Sequence, residues 1–199
     1  MRIRGIIIAA GESSRLGEPK ALLELHGRSI LDRLHQTLGN GGCDEVLVVV
    51  GGSHREAVQQ ESQRIGIPMV VNQDPSDGPV SSIRTAISMP GHWDALLIHP
   101  VDVIGLKETD VSQLIEAARG DDSTTDAWVI SYAMRRGHPV IVTRERIESL
   151  LEVDGPLHLR ALLALPDLVI AHVVTDNPLV LEDVDDRIDW IRVSSLIKE

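Results

Sequence analysis

The chain has no phenylalanine, one tyrosine and three tryptophans among its 199 residues. Its core must therefore be built from Leu, Ile, Val and Ala. Single-stranded nucleic acid, which is gripped by stacking bases on aromatic faces, is a poor fit as a ligand. Positive charge is also short: 19 Lys and Arg face 30 Asp and Glu, a formal net charge of -11. A surface of that sign repels a phosphate backbone and argues against any nucleic-acid partner. A small anionic ligand is still allowed where cations gather, as they do at Arg15 and Lys20. Cysteine is limited to Cys43, which leaves no internal disulfide and fits a reducing, cytoplasmic compartment. No apolar run approaches the ~18 residues of a membrane span, so no membrane partner is expected. The opening MRIRGIIIAAG is basic and briefly apolar, but it runs straight into a polar glycine loop and reads as a strand rather than a leader.

What the chain does have is alternation. Buried-type strands are expected at residues 3–9 (IRGIIIA), 45–50 (EVLVVV), 67–71 (IPMVV) and 95–100 (ALLIHP), and later in AWVISY, PVIV and LVIAHVV. Between them lie helical patterns. Ile30, Leu31, Leu34 and Leu38 mark one helix, ended by the GNGG at 39–42. SHREAVQQESQRI reads as a surface helix capped by Ser53, and Val80, Ile83 and Ile87 mark a helix with Pro79 in its first turn. Val111, Leu114, Ile115 and Ala118 mark another, and Ile188 and Ile191 belong to a closing helix. Continuous apolar strands imply a sheet covered on both faces, and strands alternating with helices imply right-handed crossovers. The expected fold is α/β, a single doubly wound, mostly parallel sheet flanked by helices. It should form one domain over residues 1–199, with ligands beyond the carboxyl ends of the strands.

The stretch AAGESSRLGEPK, residues 9–20, follows the first strand directly. Its glycines, Gly11 and Gly17, match neither the dinucleotide fingerprint nor the ATPase phosphate loop, because Lys20 lies beyond the second glycine and no Ser or Thr follows it. The physical logic is still that of a phosphate cradle. Ala9, Ala10 and Gly11 let a polyanion approach the backbone, and amides of the turn can donate to phosphate oxygens. Arg15 can grip two oxygens with its planar fork, while Lys20 acts as a point charge.

The longer string AAGESSRLGEPKALLELHGRSIL resembles the signature of the nucleotidyltransferases related to the molybdenum-cofactor cytidylyl- and guanylyltransferases. Ala9, Ala10, Gly11, Ser13, Arg15, Gly17, Lys20, Leu22, Leu23, Gly27 and Leu31 carry the match, and Leu16 replaces the family's Met. The resemblance implies a Rossmann-like nucleotidyltransferase domain with a nucleoside triphosphate in the 9–17 loop and Lys20 at the reacting phosphates. NQDPSDGPVSSIRTAI resembles the nucleoside-contacting segment of that family, which nominates Asn72, Gly78 and Ser82. IHPVDV places Asp102 where the family holds Mg²⁺, and LEDVDDRIDW nominates Asp185 as a second metal contact, with Asp183 and Asp189 as caps and surface charge. RRGHPVIVT resembles the acceptor-side segment of the cytidylyl branch, which nominates Arg135, Arg136 and His138. The remaining histidines show no metal-ligand spacing, and His99 reads as a packed or capping residue.

Two departures from the family pattern lie at the acceptor side. Asp102 is followed by Val103-Ile104 rather than Gln-Pro, and Asp186-Arg187 replaces a closing Thr-Pro. The Ala-Ala-Gly opening leans toward CTP. By resemblance the function is Mg²⁺-dependent transfer of a nucleotide, with Lys20, Arg15 and Asp102 as catalytic groups. The acceptor would be a small phosphorylated molecule, molybdopterin first. A sugar-phosphate or phospho-alcohol transferase and a non-catalytic nucleotide-binding module are the alternatives. The expected state is a monomer or weak homo-oligomer, with a molybdenum-enzyme maturation protein as the partner class that the resemblance implies.

Overall fold

The computed structural model describes residues 1–12, 15–121, 124–151 and 167–198. Strand β1 (Ile3–Ala9) leads through the 9–17 loop to a short ribbon, β2 (Glu24–Leu25) and β3 (Arg28–Ser29), and to helix α1 (Ile30–Asn40). There follow β4 (Glu45–Val50), α2 (Arg55–Ile65), β5 (Met69–Val71), α3 (Pro79–Ile87) and β6 (Ala95–Pro100). The later elements are α4 (Glu108–Gly120), β7 (Ala127–Tyr132), β8 (Arg135–Thr143), α5 (Arg144–Leu151), β9 (Ile170–Val174) and α6 (Arg187–Ser194).

The longer strands form one sheet in the order β5-β4-β1-β6-β8-β7-β9. Strands β5, β4, β1 and β6 run parallel, as do β7 and β9, while β8 runs against both its neighbours. Side chains alternate across the pleat, so an uninterrupted apolar strand must be covered twice. Ile3, Ile7, Val48 and Leu97 pack on one face with Leu34 and Leu38 of α1, Val58 of α2 and Leu114 of α4. Ile6, Leu47, Val49 and Leu96 pack on the other with Ile83 of α3, Trp93 and Ile147 of α5. The sheet is thus the expected doubly wound, mostly parallel one. No helix among the described residues is long and apolar enough to cross a membrane.

Strand β1 lies between β4 and β6, so the winding reverses beside it. At such a switch point the crossovers diverge and leave a crevice beyond the carboxyl ends of the strands. The 9–17 loop opens from β1 on one side of this crevice, and Asp102 follows β6 on the other.

Several expectations are corrected locally. Helix α2 starts at Arg55 behind His54, and Ser53 is not its cap: the Ser53 hydroxyl donates to Glu12 Oε2 at 2.7 Å. The strand expected from residue 67 begins at Met69, because the Ile67 amide is still bonded to the Ser62 carbonyl of α2. The ribbon β2–β3 turns through His26 (φ 52°) and Gly27 (φ 75°), a pair of left-handed residues that suits a two-residue hairpin. In α6, Ile188 and Ile191 face outward, 75% and 63% exposed, and Val193 is the residue that enters the core.

Candidate active site

A cavity of about 460 Å³ occupies the crevice. The end of β1 and its loop form one wall with Ala9, Ala10, Gly11 and Glu12. The turn into α3 supplies Gly78, Pro79 and Ser82, and β6 with its following turn supplies Ile98, Pro100 and Asp102. Lys20, Arg15, His138 and Asp185 complete the polar end.

The chemistry concentrates at Lys20. Its side chain is only 12% exposed, and its Nζ donates to Asp185 Oδ1 at 2.9 Å and Asp102 Oδ2 at 3.3 Å. Arg15 donates from its other side to Asp185 Oδ2 at 3.0 Å. Residues far apart in sequence are therefore joined in one charge network. The Lys20 hydrogen bond holds the Asp185 carboxyl below the usual carboxylate range, against the effect of partial burial and with help from Arg15.

Backbone hydrogen bonds link the turns that carry the two carboxylates. The Val101 amide donates to the Ile8 carbonyl at 3.1 Å, and the Val184 amide donates to the Asp102 carbonyl at 2.9 Å. Asp186 caps α6 through the amides of Ile188 and Asp189, and the Asp185 amide donates to Asp189 Oδ2 at 3.3 Å. Asp183 lies close enough to His138 to act on its charge, though burial dominates and lowers the His138 pKa. His138 Nδ1 is buried with no hydrogen-bond partner among the described residues.

The other nominated residues divide into two groups. Ala9, Ala10, Gly11, Gly78 and Ser82 line the cavity. A Cβ on Gly11 would meet no heavy atom within 4 Å, so the loop leaves open room at that point. Gly78 takes φ +79°, where a side chain would be strained, as the chain turns into α3. Asn72 and Gly17 are not in the cavity wall. Asn72 is buried, and its amide nitrogen donates to Ser81 Oγ at 2.8 Å and Ser82 Oγ at 3.1 Å. Its carbonyl accepts from the Asp74 amide, so this side chain shapes the loop behind Ser82. Gly17 has φ +79° and bends the loop between Arg15 and Lys20. Arg135 and Arg136 sit exposed at the start of β8, outside the wall. Ser13 lies outside the described residues.

Sequence reasoning missed Glu12, His54 and Val58, which also line the cavity. Glu12 is held by Ser53, and a Cβ on Gly52 would lie 2.8 Å from its Oε1. A signal was present in the Gly51-Gly52 pair directly after β4, which marks a close backbone approach.

The sequence matches the MobA-like NTP transferase domain over residues 5–173. The chain belongs to that family. By that family it is a nucleotidyltransferase. Among its relatives, the nicotine blue oxidoreductase of Paenarthrobacter nicotinovorans is 33% identical over 144 residues, 70% of each chain. The molybdenum cofactor guanylyltransferase of Xanthomonas euvesicatoria is 30% identical over 99 residues, 50% of this chain and 46% of that protein. Among solved structures, Rv0371c of Mycobacterium tuberculosis in complex with manganese superposes with a TM-score of 0.81 at 22% identity, covering 99% of this chain and 100% of that one. At that identity the likeness establishes the shared fold.

Proposed function

We propose that this nucleotidyltransferase domain, residues 1–199, moves a nucleoside monophosphate from CTP to a phosphate-bearing acceptor, molybdopterin, and releases pyrophosphate in a Mg²⁺-dependent reaction. The observation that carries the reading is the Lys20 ammonium shared by Asp102 and Asp185 beside a cavity that opens from the β1 loop. The Ala-Ala-Gly opening favours CTP by resemblance. The manganese in the mycobacterial neighbour and the guanylyltransferase relative support a divalent metal and a pterin acceptor.

The donor set fits magnesium. Among the described residues no group of three or more His, Cys, Asp or Glu could hold a metal. Mg²⁺ usually takes one or two carboxylates and completes its octahedron with phosphate oxygens and water, and Asp102 and Asp185 supply two such hard donors. When bound there, the ion would neutralise charge on the phosphates during in-line displacement.

The remaining work belongs to the chain. A phosphate oxygen of the acceptor attacks the α-phosphorus, and the bond from that phosphorus to the β-bridging oxygen breaks, so pyrophosphate departs with the electron pair. The acceptor is already anionic, so no strong base is needed and catalysis rests on positioning and charge. Lys20 exchanges its carboxylate partners for phosphate oxygens and stabilises the transferred group. Arg15, 70% exposed and anchored through Asp185, swings onto the leaving pyrophosphate. The loop amides and the small side chains of Ala9, Ala10 and Gly11 admit the polyphosphate, and Gly78 and Ser82 border the nucleotide, with Asn72 holding Ser82 from behind and Gly17 bending the loop between Arg15 and Lys20. His138, and Arg136 at the outer end of β8, face the acceptor.

A second reading follows from the relative named as an oxidoreductase. It is the weaker one here because Gly11 and Gly17 lack the spacing of a dinucleotide loop. One assay separates the readings. Purified protein is incubated with each nucleoside triphosphate, Mg²⁺ and molybdopterin, then with sugar phosphates and phospho-alcohols, and pyrophosphate is measured. The proposal predicts release with CTP and molybdopterin, lost in Asp102→Ala. Release only with another acceptor reassigns the substrate, and none with any acceptor leaves a binding module or an oxidoreductase.

A further inference from the structure

His99 is fully buried on β6, and the chemistry above makes no use of it. Its Nε2 lies 2.9 Å from the Val103 carbonyl oxygen, so the bond spans the turn that carries Asp102. A carbonyl only accepts, which places the proton on Nε2 and leaves Nδ1 a bare acceptor. That Nδ1 is buried and has no hydrogen-bond partner among the described residues. An apolar side chain would fill the same space without stranding a polar atom, so packing alone does not account for the imidazole. Burial, with the neighbouring His138 adding to it, brings the His99 pKa down to about 3, so the ring stays neutral and keeps this bond.

The spanned turn is linked to both sides of the site. Val101 bonds back to β1 through Ile8, and the Asp102 carbonyl accepts the amide of Val184, the residue before Asp185. The direction of one carboxylate and its spacing from the other thus depend on the shape of this turn.

We propose that His99 is a positioning residue. Its Nε2–H, closed onto Val103, fixes the turn that aims Asp102 and the contact that sets Asp102 against Asp185 for a divalent cation. The inference rests on the metal reading of those two aspartates. It adds a residue that does not touch the cavity.

The test is Mn²⁺ binding by electron paramagnetic resonance to the full chain, with and without CTP. His99→Leu removes the donor at similar volume, and His99→Gln keeps an N–H at about the same reach. We expect His99→Leu to weaken Mn²⁺ affinity by about 10-fold, as loss of outer partners of metal ligands does, with His99→Gln restoring affinity near that of the wild type. A merely structural role would lower the melting point of His99→Leu while its folded molecules bind Mn²⁺ unchanged, and that result overturns the proposal. Nitrogen-15 NMR of the unaltered protein gives a readout that needs no variant to fold: a His99 ring protonated on Nδ1 also overturns it. Asp102→Asn separates the two readings. Binding lost there but intact in His99→Leu defeats the positioning role alone. Binding that survives Asp102→Asn, or is absent from the wild type with CTP present, defeats the metal reading and the positioning role together.

Discussion

Two cations lie near opposite ends of β1, and their surroundings set them to different tasks. Arg4, near its start, is fully buried. Its guanidinium donates to Glu45 Oε1 at 2.7 Å and to the carbonyls of Met89 and Pro90, each at 3.0 Å, with the Trp93 ring centre 5.9 Å from Cζ. A Cβ on Gly91 would lie 2.5 Å from its Nη2, so the backbone is closed tightly around it. Lys20, beyond the other end, is shared by two carboxylates that are themselves 29% and 37% exposed and border a cavity. A guanidinium fixed among backbone carbonyls has nowhere to go. An ammonium between two acids can exchange either for a phosphate oxygen at little cost in structure. The site is therefore built where charge is balanced but replaceable.

The largest effect that would break this contrast is catalytic. Lys20→Ala should lower kcat by about 10²–10³-fold, the scale for losing one preorganised donor to developing charge, with only a modest fall in melting point, because Asp102 and Asp185 are 29% and 37% exposed and can be solvated once unpaired. Steady-state pyrophosphate release and a thermal melt check both halves, and wild-type turnover would remove Lys20 from the chemistry. The mirror experiment is Arg4→Met. The variant leaves Glu45 partly exposed to water but strands the Met89 and Pro90 carbonyls, at about 1–3 kcal/mol for each buried group left unpaired. Urea unfolding should show that loss while kcat per folded molecule is unchanged; an unaltered midpoint would mean that Arg4 is not the lock described here.

A smaller effect sharpens the Lys20 side. The Asp185 pKa is lowered first by the Lys20 hydrogen bond. A depressed carboxyl contributes stability that is fully present above its unfolded value, near 4, and is lost as pH falls through the folded one. In Lys20→Ala the depression relaxes, so Asp185 should begin to protonate at higher pH. Carbon-13 NMR of its carboxyl would show the shift, and identical titrations in the two proteins would contradict the pairing.

The elements that were legible in sequence are those with a burial signal. Strands β1, β4 and β6 coincide with their apolar runs because both faces are covered and a glycine or polar turn ends each. Strand β8 begins earlier than PVIV because Arg135 and Arg136 pair with Tyr132 and Ser131 while exposed, and hydropathy cannot register such residues. The outward Ile188 and Ile191 misled for the opposite reason, since apolar spacing does not say which face a short helix buries. At the site, the motifs singled out Ala9, Ala10, Gly11, Asp102 and Asp185, all of which line the cavity. The linkage of Asp102 to Val184, and of His99 to Val103, was not readable. The first is a backbone contact and the second runs from a side chain to a backbone carbonyl, so neither partner is marked by its residue type.

The central claim is that the loop after β1 holds a metal-bound nucleoside triphosphate. Its most direct test is the melting temperature with Mg²⁺ and each of the four triphosphates, in the wild type and in Asp102→Ala. A ligand at about 100 times its Kd adds about 2.7 kcal/mol of stability. The account predicts the largest rise with CTP and its loss in Asp102→Ala; no rise with any triphosphate, or one undiminished in that variant, would contradict it.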